Sequence, residues 1–69
     1  MQYTGRFINR YSKLLNRDIT IMEYSSNDKI PYCDCDRCGK PIIRKMYVVQ
    51  DPKTDLEIMY LGSECIKNI

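Results

Sequence analysis

Histidine is absent from this chain of 69 residues, which removes the commonest general base near neutral pH and a frequent zinc ligand. No stretch approaches the roughly 18 consecutive apolar residues of a membrane-spanning helix. Met1 is followed by Gln2-Tyr3-Thr4-Gly5 and a mixed polar and apolar run, not by the apolar segment of a signal peptide. The expectation is a cytoplasmic protein with no membrane association. Low-complexity tracts and internal repeats are missing as well, so residues 1–69 read as one globular domain. Glycine is scarce: three residues, widely dispersed, form no phosphate-cradling loop. Asp51, Asp55, Glu57 and Glu64 make no evident acid-base pair, and no enzyme activity or small-molecule substrate is expected.

What the chain does have is cysteine in metal-ligand spacing. Three of its four cysteines fall in Cys33-Asp34-Cys35-Asp36-Arg37-Cys38, Gly39 follows, and Cys65 comes just after Gly62-Ser63-Glu64. Cys35-x2-Cys38-Gly39 has the form of a zinc knuckle, whose tight turn brings two sulfurs to one ion and aims backbone N–H groups at the thiolates. In a reducing cytosol, thiolate ligands explain four cysteines better than two disulfides, and Cys33 and Cys35 sit too close together to bridge easily. A structural zinc supplies on the order of 10 kcal/mol of apparent folding free energy, comparable with the whole net stability of so short a domain.

The N-terminal segment reads as a helix. Phe7, Ile8, Tyr11, Leu14 and Leu15 recur at helical spacing, with Thr4 as N-cap and Asn16 as the C-terminal stop. Arg6, Arg10, Lys13 and Arg17 form a separate basic stripe on that helix, and residues 1–17 carry no acid. Ile19 to Tyr24 is β-branched and aromatic enough for a strand, and Ser25-Ser26-Asn27-Asp28-Lys29 is a loop by composition. Past the knuckle, Ile42 to Gln50 and Leu56 to Leu61 read as a β-hairpin turned by Asp51-Pro52-Lys53-Thr54-Asp55. Ser63 then serves as the N-cap of a short terminal helix with Cys65 in its first turn. The expected fold is α+β: an N-terminal helix and strand (1–32), then a zinc knuckle, hairpin and short C-terminal helix (33–69).

That order of knuckle, hairpin and ligand-bearing helix resembles treble-clef zinc fingers from Cys35 to Ile69. The Cys-x2-Cys-Gly knuckle and Gly-x2-Cys ending also look like those of small bacterial and phage proteins. A treble clef takes a second ligand about three residues further along its helix, but that position here is Asn68, a poor zinc ligand. Cys33 is the natural supplier, since i and i+2 in an extended segment point to one side. One zinc per chain on Cys33, Cys35, Cys38 and Cys65 is therefore expected. The rival site keeps Cys35, Cys38 and Cys65 and fills the fourth place with Asp34, Asp36 or water. All-sulfur coordination favours zinc over harder metals. The Cys-x2-Cys-Gly element also resembles half of a rubredoxin iron site, but the second Cys-x2-Cys is absent, so zinc is expected ahead of iron.

An ion saturated by four thiolates cannot activate water, so the expected function is a structural-zinc binding adaptor. Nucleic acid is suggested as partner by the Arg6 to Arg17 stripe and by Arg37, Lys40, Arg44 and Lys45 after the knuckle. Protein, in an interaction or inhibitor role, is suggested by the charge balance, because four bound thiolates and one zinc bring the formal +2 to zero. The tyrosines are expected to cover the core, with base stacking as the alternative. A thiol redox role for Cys35 and Cys38 would need an exposed reactive cysteine and lacks the usual βαβ context.

Overall fold

The structure, a computed structural model, describes residues 2–27 and 29–69, with side chains outside the description for residues 2–6. Among the described residues six strands are present: β1 Gln2–Ser12, β2 Arg17–Ser25, β3 Cys33–Asp34, β4 Pro41–Ile42, β5 Lys45–Gln50 and β6 Glu57–Leu61. A single 3-10 turn, Cys65–Asn68, follows β6. The long strands form one antiparallel sheet in the order β1-β2-β5-β6, and β3 pairs with β4 in a separate two-stranded ladder. The fold is thus mostly β. It corrects the α+β expectation, because no α-helix occurs among the described residues.

The N-terminal helix is replaced by a hairpin. Asn9, Arg10, Tyr11 and Ser12 lie directly opposite Thr20, Ile19, Asp18 and Arg17. Aromatic and β-branched residues on both sides suit a pleated ladder, whereas an isolated helix of this length is marginal in water. Asn16, read as a helix stop, takes φ 55° in the hairpin turn. Both roles use the left-handed conformation that asparagine tolerates, so the signal was real but ambiguous. Buried Ser12 accepts the Leu15 N–H at 3.1 Å, and the Tyr11 hydroxyl donates to the Asn16 side-chain oxygen. Most of the apolar stripe does not face a core: Phe7, Ile8, Tyr11 and Leu14 are all more than half exposed, and Leu15 alone of the five packs against it.

The expected strand at Ile19 to Tyr24 lies within β2, and the expected hairpin is β5–β6 with Val48 opposite Tyr60 and Val49 opposite Met59. Its first strand starts only at Lys45, because Ile42 belongs to β4 and Arg44 turns the chain at φ 71°. Its turn is organised by Asp51, whose Oδ1 accepts the Lys53 and Thr54 N–H groups at 2.8 and 3.2 Å. Strand β5 is central, and Met46, Val48, Val49 and Gln50 are buried, so both of its faces are covered. Ile19, Ile21, Ile42, Leu61, Cys35, Cys65 and Ile69 complete the core. Of the predicted 25–29 loop, Asp28 lies outside the described residues.

The short C-terminal helix is corrected to one 3-10 turn of four residues. It starts from Glu64 with no side-chain cap, so Ser63 does not serve as predicted. Four residues cannot complete the repeated i to i−4 bonding of an α-helix.

Candidate metal centre

Residues 26–44 form an excursion between β2 and β5, and its apex carries the knuckle. The Cys35 N–H donates to the Lys40 carbonyl at 2.8 Å and the Gly39 N–H to the Cys35 carbonyl at 2.9 Å, closing the turn. Gly39 has φ 78°, the left-handed conformation this turn requires. Asp36 fixes the turn to the sheet: its N–H donates to the Tyr60 carbonyl at 2.9 Å, and its Oδ2 accepts the Tyr60 N–H at 2.7 Å. The outer edge of β6 is thereby covered at this point, and Leu61-Gly62 leads from it to Cys65.

Sγ atoms of Cys35, Cys38 and Cys65 all lie within 4.8 Å of one another. Zinc–sulfur bonds of about 2.3 Å in a tetrahedron put sulfurs about 3.8 Å apart, so the triad fits a metal after a contraction of about 1 Å or less. Three soft sulfur donors suit zinc better than magnesium or calcium. Cys35 and Cys65 are buried and Cys38 is exposed. Burial pushes the Cys35 thiol up, but N–H groups of Cys38, Gly62 and Arg37 and the Cys65 thiol outweigh it and bring its pKa to about 6. Cys65 is held up at about 11, because its thiol is hydrogen-bonded with Cys38 and Cys35 and is desolvated. The N–H groups around Cys35 thus favour its thiolate form, the form in which cysteine binds a metal.

Cys33 is placed differently. Its Sγ lies 4.0 Å from the Met46 sulfur, and it lines another cavity together with Tyr32 and Tyr60. Strand β3 ends at Asp34, so the i, i+2 alternation does not carry through to Cys35. Burial, reinforced by Asp36, Asp34 and Cys35, pushes the Cys33 thiol up. Beside the triad a cleft of about 210 Å³ is lined by Lys40, Ile43, Lys45, Ser63 and Glu64. Glu64 is the acidic group on that cleft, whereas Asp36 is engaged with Tyr60.

Several of the predicted basic residues have partners within the chain, and Lys40 and Lys45 line the cleft beside the triad. Arg10 donates to the Ile69 carbonyl, Arg17 pairs with Asp51, and Lys45 approaches Glu23 at 3.9 Å. Lys13 sits in the β1–β2 turn, while Arg37, Lys40 and Arg44 are exposed on the excursion. The Arg6 side chain lies outside the described residues. The stripe was a projection onto a helix, and a strand and turn occupy that segment instead.

Two features escaped sequence reading. The Asp36–Tyr60 clamp joins residues 24 apart, and only the position of Asp36 between two ligand cysteines hinted at it. Tyr24, Tyr32 and Tyr60 converge on one cavity, which requires the sheet register to be known. Among the described residues no helix is long and apolar enough to cross a membrane. No family model, curated protein or solved structure matches this chain.

Proposed function

We propose that this chain is a zinc-stapled β-sheet module that acts as a binding adaptor, with a protein as its partner and no catalysis of its own. The observation that carries the metal is the convergence of Cys35 and Cys38 with Cys65 from a distant segment within 4.8 Å. Such an ion ties the excursion to the chain beyond β6, a structural role. Its fourth donor comes from the cleft side, from Glu64 or water. Three thiolates already supply one more negative charge than the ion carries, and the chain has no histidine to act as a base beside it.

Protein is favoured over nucleic acid because Arg10, Arg17 and Lys45 face acceptors or acids within the chain. The β1–β2 hairpin meanwhile exposes Phe7 and Tyr11 on one face of β1, with Leu14 exposed in the turn, and exposed apolar side chains are what a protein partner would cover. Metal analysis of the purified chain tests the first half, with one zinc per chain expected and a cobalt-loaded form showing thiolate charge-transfer absorption. Titration with DNA and RNA at two salt concentrations tests the second half. Steeply salt-dependent binding would transfer the adaptor role to nucleic acid, with Lys13, Arg37, Lys40 and Arg44 as phosphate contacts.

A further inference from the structure

A second cavity, of about 300 Å³, is built from the sheet register. Tyr24 lies opposite Met46 across β2 and β5, and Val48 lies opposite Tyr60 across β5 and β6. Met46 and Val48 are two residues apart on β5, so these four side chains share one face of the sheet. Buried Met46 and Val48 form its apolar base. Tyr32, from the segment entering β3, brings a third aromatic ring to the lining.

The polar groups at this site have one sign. Glu57 is the charged residue of the lining, and among the described residues no lysine or arginine contributes to it. The Tyr60 hydroxyl donates to Glu57 Oε1 at 2.5 Å, and the Tyr32 hydroxyl donates to the Arg44 carbonyl at 3.3 Å. Those bonds hold the two phenols by their polar tips and leave aromatic carbon to meet a ligand. Tyrosine rings present negative π faces, a carboxylate adds a full negative charge, and a polarisable thioether completes the wall. An anion would be repelled. A strongly hydrated ammonium would give up more water than this site can replace, whereas an alkylated ammonium spreads its charge over apolar methyl groups.

We propose that the cavity formed by Tyr24, Tyr32, Tyr60, Met46 and Glu57 binds a quaternary alkylammonium group. Its volume is at the low end of small-ligand pockets, about 300 to 1,000 Å³, which suits one trimethylammonium head. The site is separate from the cysteine triad, none of whose members lines it.

The test is titration of the purified 69-residue chain with choline, followed by the NMR signals of the tyrosine rings. A parallel titration uses choline's uncharged carbon analogue, in which a tert-butyl group replaces trimethylammonium. Saturable shifts at Tyr24, Tyr32 and Tyr60 with choline, and binding weaker by several-fold for the analogue, are expected. Tyr32→Leu should weaken choline binding by several-fold to about thirtyfold, while Tyr32→Phe, which keeps the ring, should preserve it. Glu57→Gln is at an exposed position and leaves the fold in place, so it decides the matter should Tyr32→Leu fail to fold; it should weaken choline several-fold. A peptide carrying trimethyllysine separates the sources of the group. Matched affinities assign a free head group, and peptide binding tighter by about tenfold assigns a modified lysine side chain. Equal binding of the neutral analogue, or no saturable shift at tens of millimolar choline, overturns the proposal.

Discussion

Cys35 is the residue on which the metal centre turns. It is 3% exposed, and its sulfur is approached by backbone N–H groups from both chain segments, Arg37 and Cys38 on the knuckle and Gly62 beyond β6. Such N–H groups stabilise negative sulfur whether or not an ion is bound, which is why a buried thiol titrates low. Cys65, sharing a proton with the same cluster, titrates high, and a metal must displace that proton. Cys65→Ser should therefore abolish stoichiometric zinc binding. Cys33→Ser should retain it, with the cobalt charge-transfer intensity unchanged, because the Cys33 sulfur contacts Met46 outside the triad. A Cys33→Ser protein that loses one thiolate's share of that absorption would restore Cys33 as the fourth ligand. Gly39 gives a second residue-scale prediction. At φ +78° a side chain strains the backbone, yet a Cβ there meets nothing within 4 Å. Gly39→Ala should thus cost about 1 to 2 kcal/mol through backbone conformation alone, read from denaturant midpoints of the metal-loaded protein. Gly39→Asn should cost less, since asparagine tolerates this region.

Among the elements, the β5–β6 hairpin depends on a turn held by one carboxylate. The Lys53 and Thr54 N–H groups, with Arg17 alongside, hold the Asp51 carboxyl below its ordinary value. A carboxyl with a depressed folded pKa stabilises the fold above its unfolded pKa of about 4, and that contribution fades as pH falls through the lower folded value. Asp51→Asn should accordingly melt lower than the parent at neutral pH, and the gap should close below about pH 4. A gap independent of pH would show that the Asx geometry, not the charge, holds the turn. This hairpin was readable from the sequence because strand composition and the Asp-Pro turn both pointed to it. Residues 4–17 misled for a physical reason: five apolar residues fit a helical period, but the decisive partner, β2, lies beyond a turn whose asparagine also suits a helix end. Sequence reading likewise placed Cys35 and Cys38 together, because knuckle spacing is a local property, and Cys65 joins them from beyond β6. Where Cys33 points depended on where β3 stops, and neighbouring residues alone do not fix that.

For the whole molecule, the question is what keeps the excursion of residues 26–44 on the sheet. Its own ladder is two residues per strand, Cys33–Asp34 against Pro41–Ile42, too short to persist alone. The Ser26 N–H donates to the Arg44 carbonyl across the base of the excursion, and two hydrogen bonds between Asp36 and Tyr60, one through the Asp36 side chain, attach it to β6. Net hydrogen bonds of this kind contribute about 1 kcal/mol each, whereas a structural zinc contributes on the order of 10 kcal/mol of apparent folding free energy. Buried Ile42, Cys35, Cys65 and Ile69 all belong to the segments the ion joins, so releasing it exposes part of the one core as well as a surface turn. Chelation should therefore abolish the cooperative thermal transition seen by circular dichroism, and adding zinc back should restore it. Hydrogen exchange at the Tyr60 amide, held by Asp36 at the junction, should lose its protection at the same chelator concentration. If the chelated chain still unfolds cooperatively within a few degrees of the metal-loaded midpoint, the four-stranded sheet sustains the fold unaided. The ion would then serve the knuckle alone.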